Sequence, residues 1–546
     1  MSAATPTTKQ VRYDRQLRLW GDHGQHQLER ANVCLLNATA TGTETLKSLV
    51  LPGIGRFTII DEALVTEEDV GNNFFLLPDS VSQSRGAVAC QLLKEMNSEV
   101  EGRHINESPE KLPSNNLAVL DEFSLVIACD LSEQAALIIG EFLWNRNVPF
   151  VLCRCVGMIG YMRVILHEHC VVESHPDNPF DDLRLDRPWR ELRAHVDAIN
   201  LDSLSHEDHS HVPYVVLLMK ALDVWRQKNA LDSNGYPRSY AQKKEIKQIL
   251  TEMQMPDDKG RKDEENFAEA AHNLNRALRQ TQIPSNVAQL FDHLPDTLTP
   301  KSAPFWFMAA AIKRFTHEND GALPVRGALP DMTAHSSRYI ELQRVYQNKA
   351  TSDAHRVHET VKHLLVDVGL RADSIPYEQV LLCCKHADQL HCVKGRSLQH
   401  ELTDPKTDEI QQLFVSEEPE HKLLRWYIQL RARERFRAEK DRYPGTNGIP
   451  VQLDTVDLSR RVKNLLTDWK IHGPETGDGQ QSKPDTHIDY TAEMCRYGSS
   501  ELHAVSAVLG GVCAHECIKL ITKQFLPLNN TYIFDAHTGS ALVLEM

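Results

Sequence analysis

Over its first 170 residues the chain alternates short apolar runs with apolar positions at helical spacing. Residues 33–36, VCLL, form an apolar run that predicts a strand. Residues 37–42, NATATG, are small and predict a loop; residues 44–50 carry Leu46, Leu49 and Val50 on one helical face. After Gly53-Ile54-Gly55 a second β-rich run, 57–60, is closed by Asp61. Past an acidic connection at 62–69, the pattern predicts a helix at 82–93, a strand at 123–128, a helix at 134–144 and a strand at 148–153. Residues 157–166 continue as a β-rich hairpin or bend. Such alternation predicts an α/β, Rossmann-like, doubly wound parallel sheet. Upstream, 11–31 reads as an amphipathic lead-in broken at Gly21–Gly24, with Leu17, Leu19, Trp20 and Leu28 packing on the domain. Arg12, Arg15 and Arg18 are three apart, so a helix places them on one face.

After His175-Pro176-Asp177 the period changes. From about 189 to 468 the pattern is helical, without convincing strand alternation. Helices are expected at 212–226, 266–278, 303–315, 337–346, 356–365 and 423–436, with polar breaks at 256–262, 319–326 and 443–450. The Gly- and Pro-rich segment 472–485 predicts a mobile linker. The α/β texture then returns, with an apolar helix at 498–521 containing Gly510-Gly511 and strands at 531–534 and 541–544. The expected organisation is one α/β domain, 1–170 and 485–546, interrupted by a large helical insertion at 171–484.

Composition narrows the function classes. The 546 residues carry a formal net charge of −15, which opposes a general nucleic-acid binder. No run approaches eighteen apolar residues, so no membrane span is expected, and the N-terminal MSAATPTTKQ lacks the apolar centre of a signal peptide. Twelve cysteines in a chain of this kind are read as reduced thiols of the cytoplasm or nucleus.

The candidate chemistry lies at the first βαβ unit. A nucleotide is held there by glycines that let phosphates reach the helix N-terminus, and by an acid after the second strand that takes a ribose hydroxyl. Asp61 stands at the acid, but the loop reads Asn37-Ala38-Thr39-Ala40-Thr41-Gly42, and only the last glycine of the G-x-G-x-x-G fingerprint remains. A Cβ at Asn37 or Thr39 obstructs backbone approach to phosphate.

Tyr13-Asp14-Arg15-Gln16, this βαβ unit, the Asn72 region and Gly510-Gly511-Val512-Cys513-Ala514-His515-Glu516 together resemble the ubiquitin-like protein activating enzymes, the E1 family. YDRQLRLWGDHGQ, LVLPGIG, GNNFFL, ESHPDNPFDDLRLD and LNNTYIFDAHTGS resemble in particular the regulatory, amyloid-precursor-protein-binding branch of the neddylation-activating E1. The resemblance implies a pseudo-adenylation domain paired with a catalytic subunit. That subunit binds ATP and magnesium, adenylates the ubiquitin-like modifier, and takes it as a thioester for transfer to a conjugating enzyme and on to cullins. It implies no cofactor and no metal on this chain, and no catalytic cysteine in its insertion.

Phe75 stands at the family's phosphate-binding arginine and Arg85 at its lysine, which keeps charge but not shape. Asp130 falls at or beside the family's magnesium aspartate, which leaves residual metal binding open. Arg15 falls on the Y-x-R-Q arginine, which implies an arginine finger acting in trans on the partner's ATP. Cys383, Cys384 and Cys392 lie in the apolar run VLLCCKHADQLHC and read as core thiols; with His386 and His391 they are poorly spaced for zinc. Cys153 and Cys155 are expected on one face of a strand. Leu46, Leu49, Val505, Val508 and Leu509 are expected at sheet packing or a pseudo-twofold contact, and 331–346 at a further subunit contact. The alternatives are the corresponding subunit of the SUMO-activating enzyme, for which a shorter insertion is expected, a stand-alone Rossmann dinucleotide enzyme, and a pure adaptor.

Overall fold

The computed structural model describes residues 8–177, 181–232, 235–256, 259–472 and 489–546. The expected linker at 472–485 lies, from 473 onward, outside the described residues. The chain divides into two compact units: 1–169 with 393–546, and 170–392.

In chain order the first unit opens with helix α1 (Thr8–Arg30), strand β1 (Asn32–Leu36), α2 (Ala40–Val50) and β2 (Arg56–Ile60). It continues with α3 (Glu67–Asn72), α4 (Arg85–Met96), β3 (Glu101–Ile105), α5 (Leu112–Asn115), β4 (Leu125–Cys129) and α6 (Glu133–Trp144). Strands β5 (Phe150–Val156) and β6 (Ile159–Ile165) follow. Two short strands, β7 (Glu168–Val171) and β8 (His391–Lys394), pair with each other, and β9 (Thr531–Asp535) and β10 (Ser540–Leu544) close the chain.

The main sheet has the order β10-β9-β6-β5-β4-β1-β2-β3. Its β3-β2-β1-β4-β5 half is parallel, with Val33 beside both Phe57 and Leu125; β5-β6-β9-β10 are antiparallel. The C-terminal strands therefore do complete the sheet begun at β1, as the sequence predicts. Strand β3, EGRHI, was not predicted: it is an edge strand with no fully buried residue, so it lacks the apolar signal.

Alternate residues of β1 feed opposite faces, as the pleat requires. Cys34 and Leu36 join one core, with α6, while Val33 and Leu35 join the other, with α2 and the His503–Thr522 helix. Leu46, Leu49, Val505 and Leu509 are buried in that second core, but Val508 is 45% exposed. Leu28 is buried and Leu19 is 61% exposed, so the lead-in packs by fewer side chains than its pattern suggests. Gly21 interrupts α1 with φ 63°.

The His503–Thr522 helix is long and apolar enough to span a membrane, contrary to the expectation from apolar runs. Half of it is buried in this unit against α2, which marks it as a core helix. At its closest approach a Cβ on Gly510 would lie 2.8 Å from the Glu44 Cβ and 3.0 Å from the Thr45 amide nitrogen. Gly511 faces open space. The helix predicted at 498–521 starts later, at His503; residues 498–502 link it to a separate preceding helix, Tyr490–Tyr497, which ends at Gly498, φ 58°.

The chain rejoins the first unit at 393, so the expected insertion at 171–484 extends too far. Helix Leu424–Lys440 belongs to the sheet unit because Leu424, Trp426, Tyr427 and Ile428 bury in the α6-side core, and the Trp426 indole donates to Asp535 at 3.1 Å. The second unit is helical and built on two cores. Tyr214–Lys228 buries Leu217, Leu222 and Trp225 in one; Pro304–Glu318 buries Trp306, Phe307 and Ile312 in the other. The two helices predicted at 337–346 and 356–365 are one, Ser336–Asp367. Its polar middle stays helical because buried Asp353 pairs with Lys349 and accepts the Val325 amide at 3.1 Å.

In urea unfolding of the isolated chain, Gly510→Ala should cost about 1–3 kcal/mol, because the new methyl meets backbone. Gly511→Ala should be neutral or stabilise by up to about 1 kcal/mol. Equal effects would refute close approach at Gly510.

Candidate functional site

Strand order reverses between β1 and β4, and open α/β sheets bind ligands in that crevice. The sequence places Asn37 and Asp130 at the two strand ends, both with left-handed φ, 67° and 51°. The Asn37 amide crosses the crevice and donates to the Cys129 carbonyl at 2.8 Å. Thr39 caps α2, with its hydroxyl oxygen 3.5 Å from the Gly42 amide nitrogen. Gly42 keeps the role of the third fingerprint glycine: a Cβ there would sit 2.9 Å from both the Asn37 carbonyl oxygen and Leu35.

The head of α2 holds a carboxylate of this same chain. Glu501 accepts from the Ala40 amide at 2.9 Å, the Thr41 hydroxyl at 2.9 Å and the Thr39 hydroxyl at 3.1 Å. Burial raises its pKa, while the Thr41, Ala40 and Thr39 hydrogen bonds favour its charge. Asn72, the retained family asparagine, donates its side-chain amide to the Glu501 carbonyl at 3.3 Å, and a ring nitrogen of His503 lies 2.8 Å from the Asn72 carbonyl. Asn73 is buried, bridging Thr43 and Ala38. Glu501 escaped the sequence reading because it lies 460 residues beyond Thr41, inside what looked like a continuous apolar helix.

Asp61, 1% exposed, is fully engaged. Its oxygens accept the Ala38 amide at 2.9 Å, the Ala63 amide at 2.8 Å, and the Arg85 guanidinium at 2.7 and 3.3 Å. Arg85 reaches Asp69 as well, at 3.4 Å. Burial opposes the Arg85 charge, but Asp61 and Asp69 more than offset it and leave its pKa raised. The acid expected at a ribose and the cation expected at a phosphate are thus each other's partners. Phe75 is 2% exposed and sits in the core; its neighbour Phe74 faces solvent.

Asp130 accepts a hydrogen bond from the Tyr443 hydroxyl, and Arg437 approaches it at 4.0 Å. Arg437 also donates to that hydroxyl and to Glu110, the latter at 3.2 Å. Arg433 stacks 3.5 Å over the Tyr443 ring. Burial, then the Asp130 charge, raises the Tyr443 pKa, so the phenol stays a donor. A metal ion at Asp130 would have to displace that phenol beside a fixed guanidinium, so these donors do not fit one.

Arg15 lies elsewhere, exposed on α1, and supplies none of these contacts. Beside it Tyr13 is buried, hydrogen-bonded to Asn97 and Glu99 at 3.1 Å each, and fixes the helix face on which Arg15 points outward. Asp14 pairs with Arg18 at 2.9 Å.

All twelve cysteines are free thiols. Cys383 and Cys384 are buried on the Tyr377–Lys385 helix, and burial pushes the Cys383 thiol up to about 12, far from a ready nucleophile. Cys392 is partly exposed, with its sulfur 4.0 Å from that of Cys170. Cys153 and Cys155 share the α2-side core.

Removing Asp61 leaves the half-buried Arg85 guanidinium with Asp69 alone and takes the acceptor from the Ala38 and Ala63 amides. Asp61→Ala should therefore cost about 3–5 kcal/mol in urea unfolding. If Asp61→Ala costs under about 1 kcal/mol, Arg85 is not held as described.

A family model described as the ThiF family matches residues 13–545. The NEDD8-activating enzyme E1 regulatory subunit of Danio rerio is 43% identical over 99% of this chain and 99% of its own length. That of Drosophila melanogaster is 41% identical over 98% of each chain. The NEDD8-activating enzyme E1 regulatory subunit AXR1 of Arabidopsis thaliana is 36% identical over 99% of this chain and 97% of its own. The chain belongs to the ThiF family and, within it, to the regulatory subunits of the NEDD8-activating E1 enzyme.

Proposed function

We propose that this chain is the half of a heterodimeric E1 that binds no nucleotide and carries no thioester. Its catalytic partner holds ATP and magnesium, adenylates NEDD8 and takes it on a cysteine. The product is then passed to a conjugating enzyme and to cullins. The observation that carries this reading is the crevice itself: the head of α2, Asp61, Arg85 and Asp130 all have partners within the chain. The buried, protonated thiols Cys383 and Cys384 support the absence of a nucleophile on their helix. Exposed apolar residues, Val11 and Leu19 on α1 and Phe74 after α3, offer surface for the partner. Cytoplasm or nucleus is the fitting compartment for twelve free thiols. A stand-alone dinucleotide enzyme is disfavoured, because Asp61 has no lone pair left for a ribose.

Arg15 is the one contribution to the chemistry assigned to this chain. A planar, permanently charged donor on an outward helix face is suited to reach a partner's phosphates. In the reconstituted heterodimer, Arg15→Ala should slow ATP–pyrophosphate exchange by roughly tenfold to a hundredfold, with assembly intact by size exclusion. An unchanged exchange rate removes Arg15 from the mechanism. NEDD8 thioester found on this chain rather than on its partner would overturn the reading as a whole.

A further inference from the structure

We propose that Glu501 is an intramolecular plug: its carboxylate takes, in cis, the place at the head of α2 that a phosphate group would need, and so shuts the crevice to oxyanions while locking residues 498–502 onto the sheet. A carboxylate and a phosphate accept from the same donors, and here two hydroxyls and one main-chain amide converge on one carboxylate at 2.9–3.1 Å. Three neighbouring amides are also engaged. Ala38 donates to Asp61 at 2.9 Å, Gly42 faces the Thr39 hydroxyl and Thr43 donates to the Thr39 carbonyl at 3.0 Å. An incoming oxyanion would have to compete with Glu501 for the Ala40 amide and the two threonine hydroxyls.

The rest of the segment holds that carboxylate in place. Asn72 donates to the Glu501 carbonyl at 3.3 Å. The Gly157 amide donates to the Ser500 carbonyl at 2.8 Å. Gly498 ends the preceding helix with a positive φ, and His503 opens the next. The plug thus joins the first βαβ unit to the last helix of the same unit. Thr39, which replaces a fingerprint glycine, is one of the three donors to the plug; the other two, the Ala40 amide and the Thr41 hydroxyl, would remain if glycine were restored at 37 and 39, so that change alone would not reopen the site. This inference does not rest on the neddylation reading, and its test involves neither the partner nor the modifier.

The test is thermal melting of the full-length chain in chloride and in inorganic phosphate at matched ionic strength. Wild type should gain in phosphate no more than the general salt effect that the control shows. Glu501→Ala should melt several degrees lower in chloride and recover most of that loss in phosphate, which refills the vacated place. Leu509→Ala, a core truncation in the neighbouring helix, controls for general effects of phosphate and should not recover. Glu501→Gln should melt below wild type and stay there in phosphate, because its amide lacks the charge yet still fills the space; it serves also if the alanine variant does not fold. A Glu501→Ala chain that melts with wild type, or that phosphate raises no more than it raises the control, overturns the proposal, as does a Glu501→Gln chain that melts with wild type.

Discussion

The carboxylate of Glu501 on the first turn of α2 is the contact on which the first unit depends most visibly. It places a negative charge at the positive end of a helix dipole, and it does so with a residue from the far end of the chain. Around it the crevice is closed by matched pairs: Asn37 across the strand ends, Arg85 on Asp61, Tyr443 and Arg437 at Asp130. Each pair satisfies polar or charged groups at the mouth of the crevice with partners from this chain.

The sheet explains how distant residues meet there. Five parallel strands carry the crevice, and three antiparallel strands extend the sheet, two of them from the C-terminus. The His503–Thr522 helix packs on α2 through Gly510, which brings the segment before it, and so Glu501, to the head of α2. On the other face Leu424–Lys440 covers the sheet, and the residues after it supply Tyr443. The unit is assembled from both ends of the sequence, with the helical unit at 170–392 in between.

What the sequence made legible was whatever rests on local pattern. The runs at β1, β2, β4 and β5 are buried on both faces and read as continuous apolar strands. The degenerate loop Asn37–Gly42, the mismatch at Phe75 and the core character of Cys383 and Cys384 were visible as residue types in place. What depends on tertiary pairing was not. Strand β3 is polar and exposed, so it carries no periodic signal. Asp61 could be read as an acid after a strand, but not as one already saturated by Arg85 and two amides. Glu501, Tyr443 and Arg437 have no local motif, and their places at the crevice come from partners hundreds of residues away. The return to the sheet at 393, well before the expected 485, hides in helices whose apolar faces look alike whichever core they bury in.

The central claim is that this chain keeps the fold of an adenylation domain with its nucleotide site filled from within. Equilibrium binding of radiolabelled ATP with magnesium tests it most directly, on the chain alone and on the complex with its catalytic partner. The account requires no saturable binding to the chain alone and a single nucleotide per heterodimer. Saturable binding to the isolated chain, or two nucleotides per heterodimer, would contradict it.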